Sequence, residues 1–447
     1  MKLYSTNLQA AEVSFETALI AGQAPDKGLY LPRSLPLLSR EDLVFLKDKT
    51  YAEVAFHVLR KVLEGEIDEP SLKTITYDAY NYEVPLEKVN DNTYIMRLDR
   101  GPTASFKDFA ARLMARLMQY YLKKENKEIT ILTATSGDTG SAVAHAFYGL
   151  DNVKVIVLFP RTEVSDRQRK QMTTLQKNIT AIAIDGKFDD CQAMVKQAFS
   201  DEQLGHLNLS SANSINIGRL IPQSLYYVYS YARLRNYPEE IIFSIPSGNF
   251  GNMMGCVLAK TMGLPVKKII ASVNENDEVP SFLSTGEYHK IVPSLNCLSN
   301  AMNVGHPSNL ARLIAVYGGQ MDEQGNINKL PDMERLRNDI YSSSVTDEET
   351  KATMREILDR YGILIEPHGA VGIKGLMDYR ISTGDNTLAV TLETAHPAKF
   401  PREVNAVTGI DPEPPRILKE IEAKEEQMDS LDTDYGTFKE YLLAKLA

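Results

Sequence analysis

Apolar residues along this chain fall into two alternating patterns. Short runs rich in Val, Ile and Leu recur, and between them apolar positions repeat every three or four residues. The runs predict strands at "TYIMRLD" (93–99), "EITILTAT" (128–135), "VKVIVLFP" (153–160), "TAIAID" (180–185), "EIIFSIP" (240–246), "KIIASV" (268–273) and "TLAVTLET" (387–394). Several are nearly free of polar residues, which suits parallel strands covered by helices on both faces. Strands and helices alternate, so the expected fold class is α/β with doubly wound sheets. One helix is predicted to begin near Phe106, because Phe106, Phe109, Ala110, Leu113, Leu117 and Tyr121 share a face at helical spacing. Ser105 with Asp108 three residues on predicts a capping box at its start.

A chain of 447 residues exceeds one small core. Residues 1–92 read as a helix-rich N-terminal region, 93–236 as a smaller α/β lobe and 237–447 as a larger one. Within the last, 319–360 is far more charged and predicts a solvated helical insertion. The tail from "IDPEPP" starts on prolines and continues as a charged helix, read as a wet face.

Composition narrows the function classes. Hydrophobic residues make up 43% and charged residues 24%, ordinary values for a globular protein. A formal charge of −10 without long basic runs argues against nucleic acid or an anionic membrane as the main partner. Cys191, Cys256 and Cys297 lie far apart with no CxxC pair, so neither a zinc site nor a disulfide framework is indicated. The seven histidines form no metal-ligand spacing, and no metal is expected. The first residues lack a continuous apolar stretch, so no secretory signal is expected and the cytoplasm is the expected location. The longest uncharged run, 241–259, contains Pro246 and several glycines and would make a poor membrane span.

Three turns share one layout, in which an apolar strand ends and a helix is to begin. The first is "SGDTG" after Thr135, the second "SGNFGN" (247–252), and the third follows Thr394 in "TLETAHPAKF". At the first two, unpaired N–H groups of a helix start can face an anion, and glycine lets a ligand approach the backbone. Neither has the spacing of a P-loop or a dinucleotide fingerprint, and no GxSxG elbow occurs. Either turn alone is also ordinary connection chemistry. Lys107 sits where the predicted helix starts. Burial and the positive helix end would both disfavour its ammonium and make the amine nucleophilic. Taken alone it reads first as an ordinary lysine whose stem lies along the surface. Beside two anion-ready turns, it suggests a Schiff base with pyridoxal phosphate, which needs an amine and a phosphate cradle together.

The stretches "GPTASFKDF", "TATSGDTG", "PSGNFGN" and "TAHPAKF" resemble those of the threonine synthase family, pyridoxal-phosphate enzymes of the fold type that includes tryptophan synthase β. "APDKGLYLP", "VGHPSN" and "IDPEPP" are similar to its shorter microbial and fungal form, so the resemblance runs the length of the chain. It implies pyridoxal 5'-phosphate between two lobes. It also implies conversion of O-phospho-L-homoserine and water to L-threonine and phosphate by γ-elimination and β-replacement, the last step of threonine biosynthesis. By motif position, Lys107 is the Schiff-base lysine, and Gly248, Asn249, Phe250, Gly251 and Asn252 form the cofactor-phosphate loop. Thr135, Ser136, Gly137, Asp138 and Thr139 fall on the loop that holds the substrate carboxylate, and Thr394 on the hydroxyl residue facing the pyridine nitrogen. Many relatives of the fold type carry asparagine where Asp138 stands. An acid there would repel an anionic ring oxygen unless a proton is shared. For the substrate phosphate, "LSSANSINIGRL" offers Ser211, Asn213, Asn216 and Arg219, with Arg161 and His306 as further candidates. The resemblance leaves monomer or homodimer open. Two other readings remain, a threonine or serine dehydratase-type lyase and a non-catalytic relative that only binds.

Overall fold

Two open sheets organise the chain, and the apolar runs of the sequence form their centres. The structure, a computed structural model, describes residues 1–135 and 137–446. The smaller sheet runs Asp429–Leu431, Ile179–Ile184, Val153–Pro160, Ile129–Ala134, Leu209–Ser210, with all neighbours parallel. Side chains alternate across it as the pleat requires. Leu132, Ile156 and Ile182 pack with Cys191, Met194, Val195 and Phe438 on one side, while Ile131, Val155 and Val157 enter the main core on the other. That two-sided burial is why these strands read as unbroken apolar runs.

The larger sheet runs Ile340–Ser344, Val266–Val273, Ile241–Pro246, Ala389–Glu393, Thr93–Arg97, Leu86–Asn90, and its last pair is antiparallel. The helix Pro367–Thr383 lies on it, packing Leu376 and Tyr379 against Ile242, Ile270 and Ala389. The N-terminal region is helical as expected, with a small antiparallel sheet of Lys2–Ser5, Val13–Ser14 and Tyr30–Pro32. Among the described residues, no helix is long and apolar enough to cross a membrane.

Two expectations give way to the structure, and a third holds. Thr93–Arg97, placed by the sequence at the start of the smaller lobe, pairs instead with Ala389–Glu393 of the larger sheet. An apolar strand signals that it is buried, not which sheet buries it. The charged stretch 319–360 is not purely helical, because Ile340–Ser344 adds an edge strand beside Ile269–Val273. Two of its three serines are satisfied on that neighbour: Ser342 Oγ donates to the Ala271 carbonyl (2.6 Å) and Ser344 Oγ to that of Asn274 (3.1 Å). The charged tail keeps its charge run in water as expected, with Arg416, Lys419, Glu420 and Glu422 exposed and only Leu418 and Ile421 of its helix buried. Its helix Arg416–Glu422 docks on Asp166–Thr173 through Arg167–Glu422 (2.9 Å), and Arg169 pairs with Glu426 just beyond it (2.9 Å). The chain then returns Asp429–Leu431 and Tyr435–Leu446 to the smaller sheet.

The helix Lys107–Glu125 forms where its apolar spacing predicts, burying Phe109, Ala110, Leu113, Leu117 and Tyr121. Each large side chain so buried stabilises by roughly 1.5–3 kcal/mol. The carboxyl ends of the parallel strands of both sheets, followed by Thr135, Ser247 and Thr394, converge near the amino end of this helix. In parallel sheets that is where ligands bind.

Candidate active site

Lys107 is placed by a contact that sequence distance conceals. The Phe106 N–H donates to the Thr394 carbonyl (2.8 Å), His396 N–H donates to that of Ala104 (2.9 Å), and Ser105 bridges Ala395. The lysine turn and the Thr394 turn are therefore zipped together. This pairing also displaces the predicted capping box. Phe106, not Ser105, precedes the helix, and it offers no side-chain cap. The Asp108 carboxylate reaches back to Thr103, accepting from its N–H and its hydroxyl (both 2.8 Å). Lys107 Nζ stands 4.3 Å from the centroid of the Phe106 ring, in the wall of a cavity. Burial first, and then the Arg219 guanidinium, push its amine down to about 8, with Asp138 opposing. At pH 7 such an amine is unprotonated in roughly a tenth of molecules, hundreds of times more than an ordinary lysine.

The turn after Ile241–Pro246 forms the facing wall, and Ser247, Gly248, Asn249, Phe250, Gly251 and Asn252 all line the cavity. Phe250 adopts a left-handed conformation (φ 59°) and gives the helix Gly251–Thr261 no side-chain cap. The first N–H groups of that helix are left for something else to satisfy. Side chains of the turn hold the scaffold. Asn249 donates to Ser214 Oγ (2.5 Å) and accepts from the Ser308 N–H (2.7 Å). Asn252 Oδ1 accepts from the hydroxyls of Tyr226 (2.5 Å) and Tyr227 (2.6 Å), while its Nδ2 is buried with no partner among the described residues.

The "SGDTG" turn is built differently. Thr135 Oγ1 accepts from the N–H groups of Gly137 (2.9 Å) and Gly140 (2.8 Å), so its hydroxyl ties the turn to the helix Asp138–Phe147. Ser136 lies outside the described residues. Of the turn, Asp138 lines the cavity; Thr135, Gly137 and Thr139 do not. Asp138 is buried against Lys399, whose Nζ stands 2.7 Å from its Oδ1. Burial pushes this carboxyl up, but the Lys399 ammonium holds it below the usual carboxylate range.

The stretch 211–219 contributes unevenly. Arg219 lines the cavity, fully buried, with one bond to the Ala212 carbonyl (2.7 Å) and its Nε without a partner among the described residues. Burial pushes this guanidinium down to about 10. Ser211, Asn213 and Asn216 serve the local frame: Ser211 Oγ accepts from the Asn213 N–H (3.2 Å), Asn213 accepts from Thr133 Oγ1 (2.6 Å), and Asn216 caps Ile217–Leu220. Arg161 pairs with Asp185 at the surface, and His306 bonds the Tyr288 hydroxyl (2.7 Å); neither lines the cavity. Thr394 does line it, with Glu366 Oε1 at 3.5 Å behind. Sequence reasoning missed Ser214, Gln223 and His368, which also line the cavity. It also missed Lys399, although the "TAHPAKF" motif contains it. Arg312 escaped notice too: fully buried, it donates to the carbonyls of Tyr30 (3.1 Å), Ser214 (3.0 Å) and Ile215 (2.5 Å) and so fixes the 214–215 backbone beside the cavity.

A buried amine of lowered proton affinity, an uncapped helix start and a guanidinium with no carboxylate partner among the described residues, in one cleft between the two sheets, define a pyridoxal-phosphate enzyme of fold type II. Residues 80–393 match the family described as pyridoxal-phosphate dependent enzyme, with a threonine synthase N terminus over 2–80 and a threonine synthase C-terminal region over 369–442. The chain belongs to the threonine synthase family. It is 38% identical to the threonine synthase of Serratia marcescens over 99% of each chain, and 40% identical to that of Escherichia coli over 94% of each. The crystal structure of the pyridoxal-phosphate-bound threonine synthase of Brucella melitensis superimposes with a TM-score of 0.92 at 35% identity, covering 99% of this chain and 98% of that one.

The residues present suit that cofactor. Gly248 lets the turn pack on the 301–302 backbone that forms the cavity's next wall, since a Cβ there would lie 2.8 Å from Met302 Cα. The uncapped helix start can receive a phosphate, and Lys107 supplies an amine able to meet an aldehyde.

Proposed function

We propose that this chain converts O-phospho-L-homoserine and water to L-threonine and phosphate, as a pyridoxal-phosphate-dependent lyase. One observation carries the reading: Lys107, the 247–252 turn, Asp138, Arg219 and Thr394 line a single cavity. Pyridoxal phosphate, when bound, supplies the carbonyl carbon that joins an amine and the ring that withdraws electrons from the substrate's α-carbon. The backbone of Gly248, Asn249, Phe250, Gly251 and Asn252 receives its phosphate at the helix start. Thr394, which lines the cavity, would offer the ring nitrogen a hydroxyl and not a carboxylate, which would favour elimination and replacement over transamination.

Lys107 is the proton carrier. Burial leaves a share of its amine unprotonated, so it can take protons from Cα and Cβ in separate steps, releasing the first before accepting the second. The two protons lost from carbon are matched by one delivered to Cγ after phosphate leaves and one to Cα after water adds. The motif assigns the substrate carboxylate to the 135–139 turn; among its described residues Asp138 lines the cavity, and the others would meet the carboxylate only as the lobes close. Arg219, unneutralised by any carboxylate in contact, holds the leaving phosphate with Ser211 and Asn213 shaping its segment. A dehydratase would gain nothing from that buried cation. The smaller lobe, with 129–210 at its centre, moves against the larger to exclude stray water from the reacting carbons.

Phosphate release from O-phospho-L-homoserine tests the activity, and borohydride reduction of the holoenzyme followed by peptide mass tests the site. The expected adduct is on Lys107, and Lys107→Ala loses both adduct and phosphate release. An adduct on another lysine, with Lys107→Ala still active, overturns the reading.

A further inference from the structure

A carboxylate beside a nucleophilic amine is a hazard, because an ion pair would raise the amine's proton affinity and disarm it. Asp138 and Lys107 line the same cavity, and a second lysine stands between that hazard and the chemistry. We propose that Lys399 is a positioning residue that occupies the Asp138 carboxylate and so keeps it from pairing with the Lys107 amine.

The geometry is one-sided. Lys399 Nζ approaches Asp138 Oδ1 at 2.7 Å, and Gln168 Nε2 donates to the same oxygen at 3.0 Å. Two donors thus fix the carboxylate through one atom. Lys399 is wholly buried, Asp138 only 8% exposed, so little water screens the pair. The ammonium is itself anchored by the Thr103 carbonyl (2.9 Å), within the turn that Asp108 closes ahead of Lys107. It projects from the turn Pro397–Lys399, just after Thr394. One side chain therefore links the Thr394 turn, the lysine turn and the "SGDTG" turn. The pair is neutral overall, which is how a buried acid is tolerated beside the cavity.

Other charged groups face this pair and enter the balance. His368 and Lys107 face Asp138; Asp108, His145 and His396 feel Lys399; Arg219 faces Lys107. Burial pushes His145 and His396 down to about 4, so both stay neutral through the range in which the Lys107 amine titrates. Removing the Lys399 charge leaves Asp138 facing Lys107 and His368, and His368 is already paired with Glu366, so Lys107 takes up the interaction. The amine's midpoint then rises by about 1–2 pH units, and the amine captures an aldehyde about ten- to a hundredfold more slowly at pH 7.

The inference rests on the proposed role of Lys107, and its test separates the two. In cofactor-free protein, labelling by fluorodinitrobenzene is followed across pH, and peptide mass reports the fraction modified at position 107. Lys399→Met and Lys399→Gln are expected to raise the labelling midpoint, the second keeping a hydrogen-bond donor in place of the charge. Lys399→Arg leaves the midpoint at the parent value, and Asp138→Asn with Lys399→Gln returns it there because the acid has gone too. Should the single neutral variants fail to fold, Asp138→Asn reads the same balance from the other side, since an unpaired Lys399 lowers the midpoint. An unchanged midpoint in Lys399→Gln, or in Asp138→Asn where the former does not fold, overturns the inference. So does a double variant that keeps the raised value. The borohydride adduct is scored separately, so a cofactor on another lysine would refute the assigned role of Lys107 while the titration still judges the pair.

Discussion

Two turns with the same layout, strand then glycines then helix, do opposite things with their hydrogen bonds. In the smaller lobe, Thr135 spends its hydroxyl on the N–H groups of Gly137 and Gly140, and Asp138 is clamped by Lys399. In the larger lobe the helix Gly251–Thr261 starts without a side-chain cap behind a left-handed Phe250. The first turn has satisfied much of its own backbone and offers the cavity a neutralised carboxylate. The second has left its donors open and offers a place for an anion. Glycine content does not distinguish them; the destination of each N–H does.

The contrast is broken most severely at Gly248. A Cβ there would lie 2.8 Å from Met302 Cα and 3.0 Å from the Ala301 carbonyl oxygen, backbone atoms that cannot swing aside. Gly248→Val must push the open turn out of shape. Overpacking of about 1–3 kcal/mol then weakens cofactor binding by about ten- to a hundredfold. Equilibrium titration with pyridoxal phosphate, read by its visible absorption, measures this. Unchanged affinity would mean that the larger-lobe turn is not the phosphate cradle.

A smaller effect of a different kind is expected at Thr135. Thr135→Val removes the acceptor of two N–H groups and leaves them buried, which destabilises the protein by about 1–2 kcal/mol. Denaturant unfolding of the cofactor-free protein reads that loss, while the affinity for pyridoxal phosphate stays within about threefold of the parent, a change worth less than 1 kcal/mol. A variant that keeps its stability and loses cofactor affinity would put the two turns on the same footing.

How far this contrast could be read from sequence follows from which contacts are local. The central strands announced themselves because Ile129–Ala134 and Ile241–Pro246 are buried at every position. Ile340–Ser344 and Asp429–Leu431 did not, because edge strands with one covered face carry serine and aspartate. The motifs located Lys107, the 247–252 turn, Asp138 and Thr394, all of which line the cavity. What the motifs could not convey was pairing across the chain. Ser105 looked like a helix cap until its backbone was found against Ala395, and Lys399 lay in a quoted motif without a role until Asp138 appeared beside it. His368 gave no local signal: its ring touches Glu366 on its own helix turn and accepts from the Ala301 N–H at 3.1 Å, a partner from a distant loop.

The mildest test sharpens the contrast at a place where position alone would mislead. Arg161 follows the strand Val153–Pro160 at the carboxyl edge of the smaller sheet, where ligand-binding residues gather in such folds. Its guanidinium, however, turns to Asp185 at 2.5 Å, with both side chains more than a third exposed, and stays off the cavity wall. A pair so open to water contributes about 0.2–1 kcal/mol. Arg161→Ala should therefore leave phosphate release from O-phospho-L-homoserine unchanged and lower the unfolding free energy by no more than that. A tenfold rise in KM for the phosphorylated substrate, with kcat retained, would show that Arg161 reaches the substrate phosphate, and the assignment of that phosphate to Arg219 alone would fail.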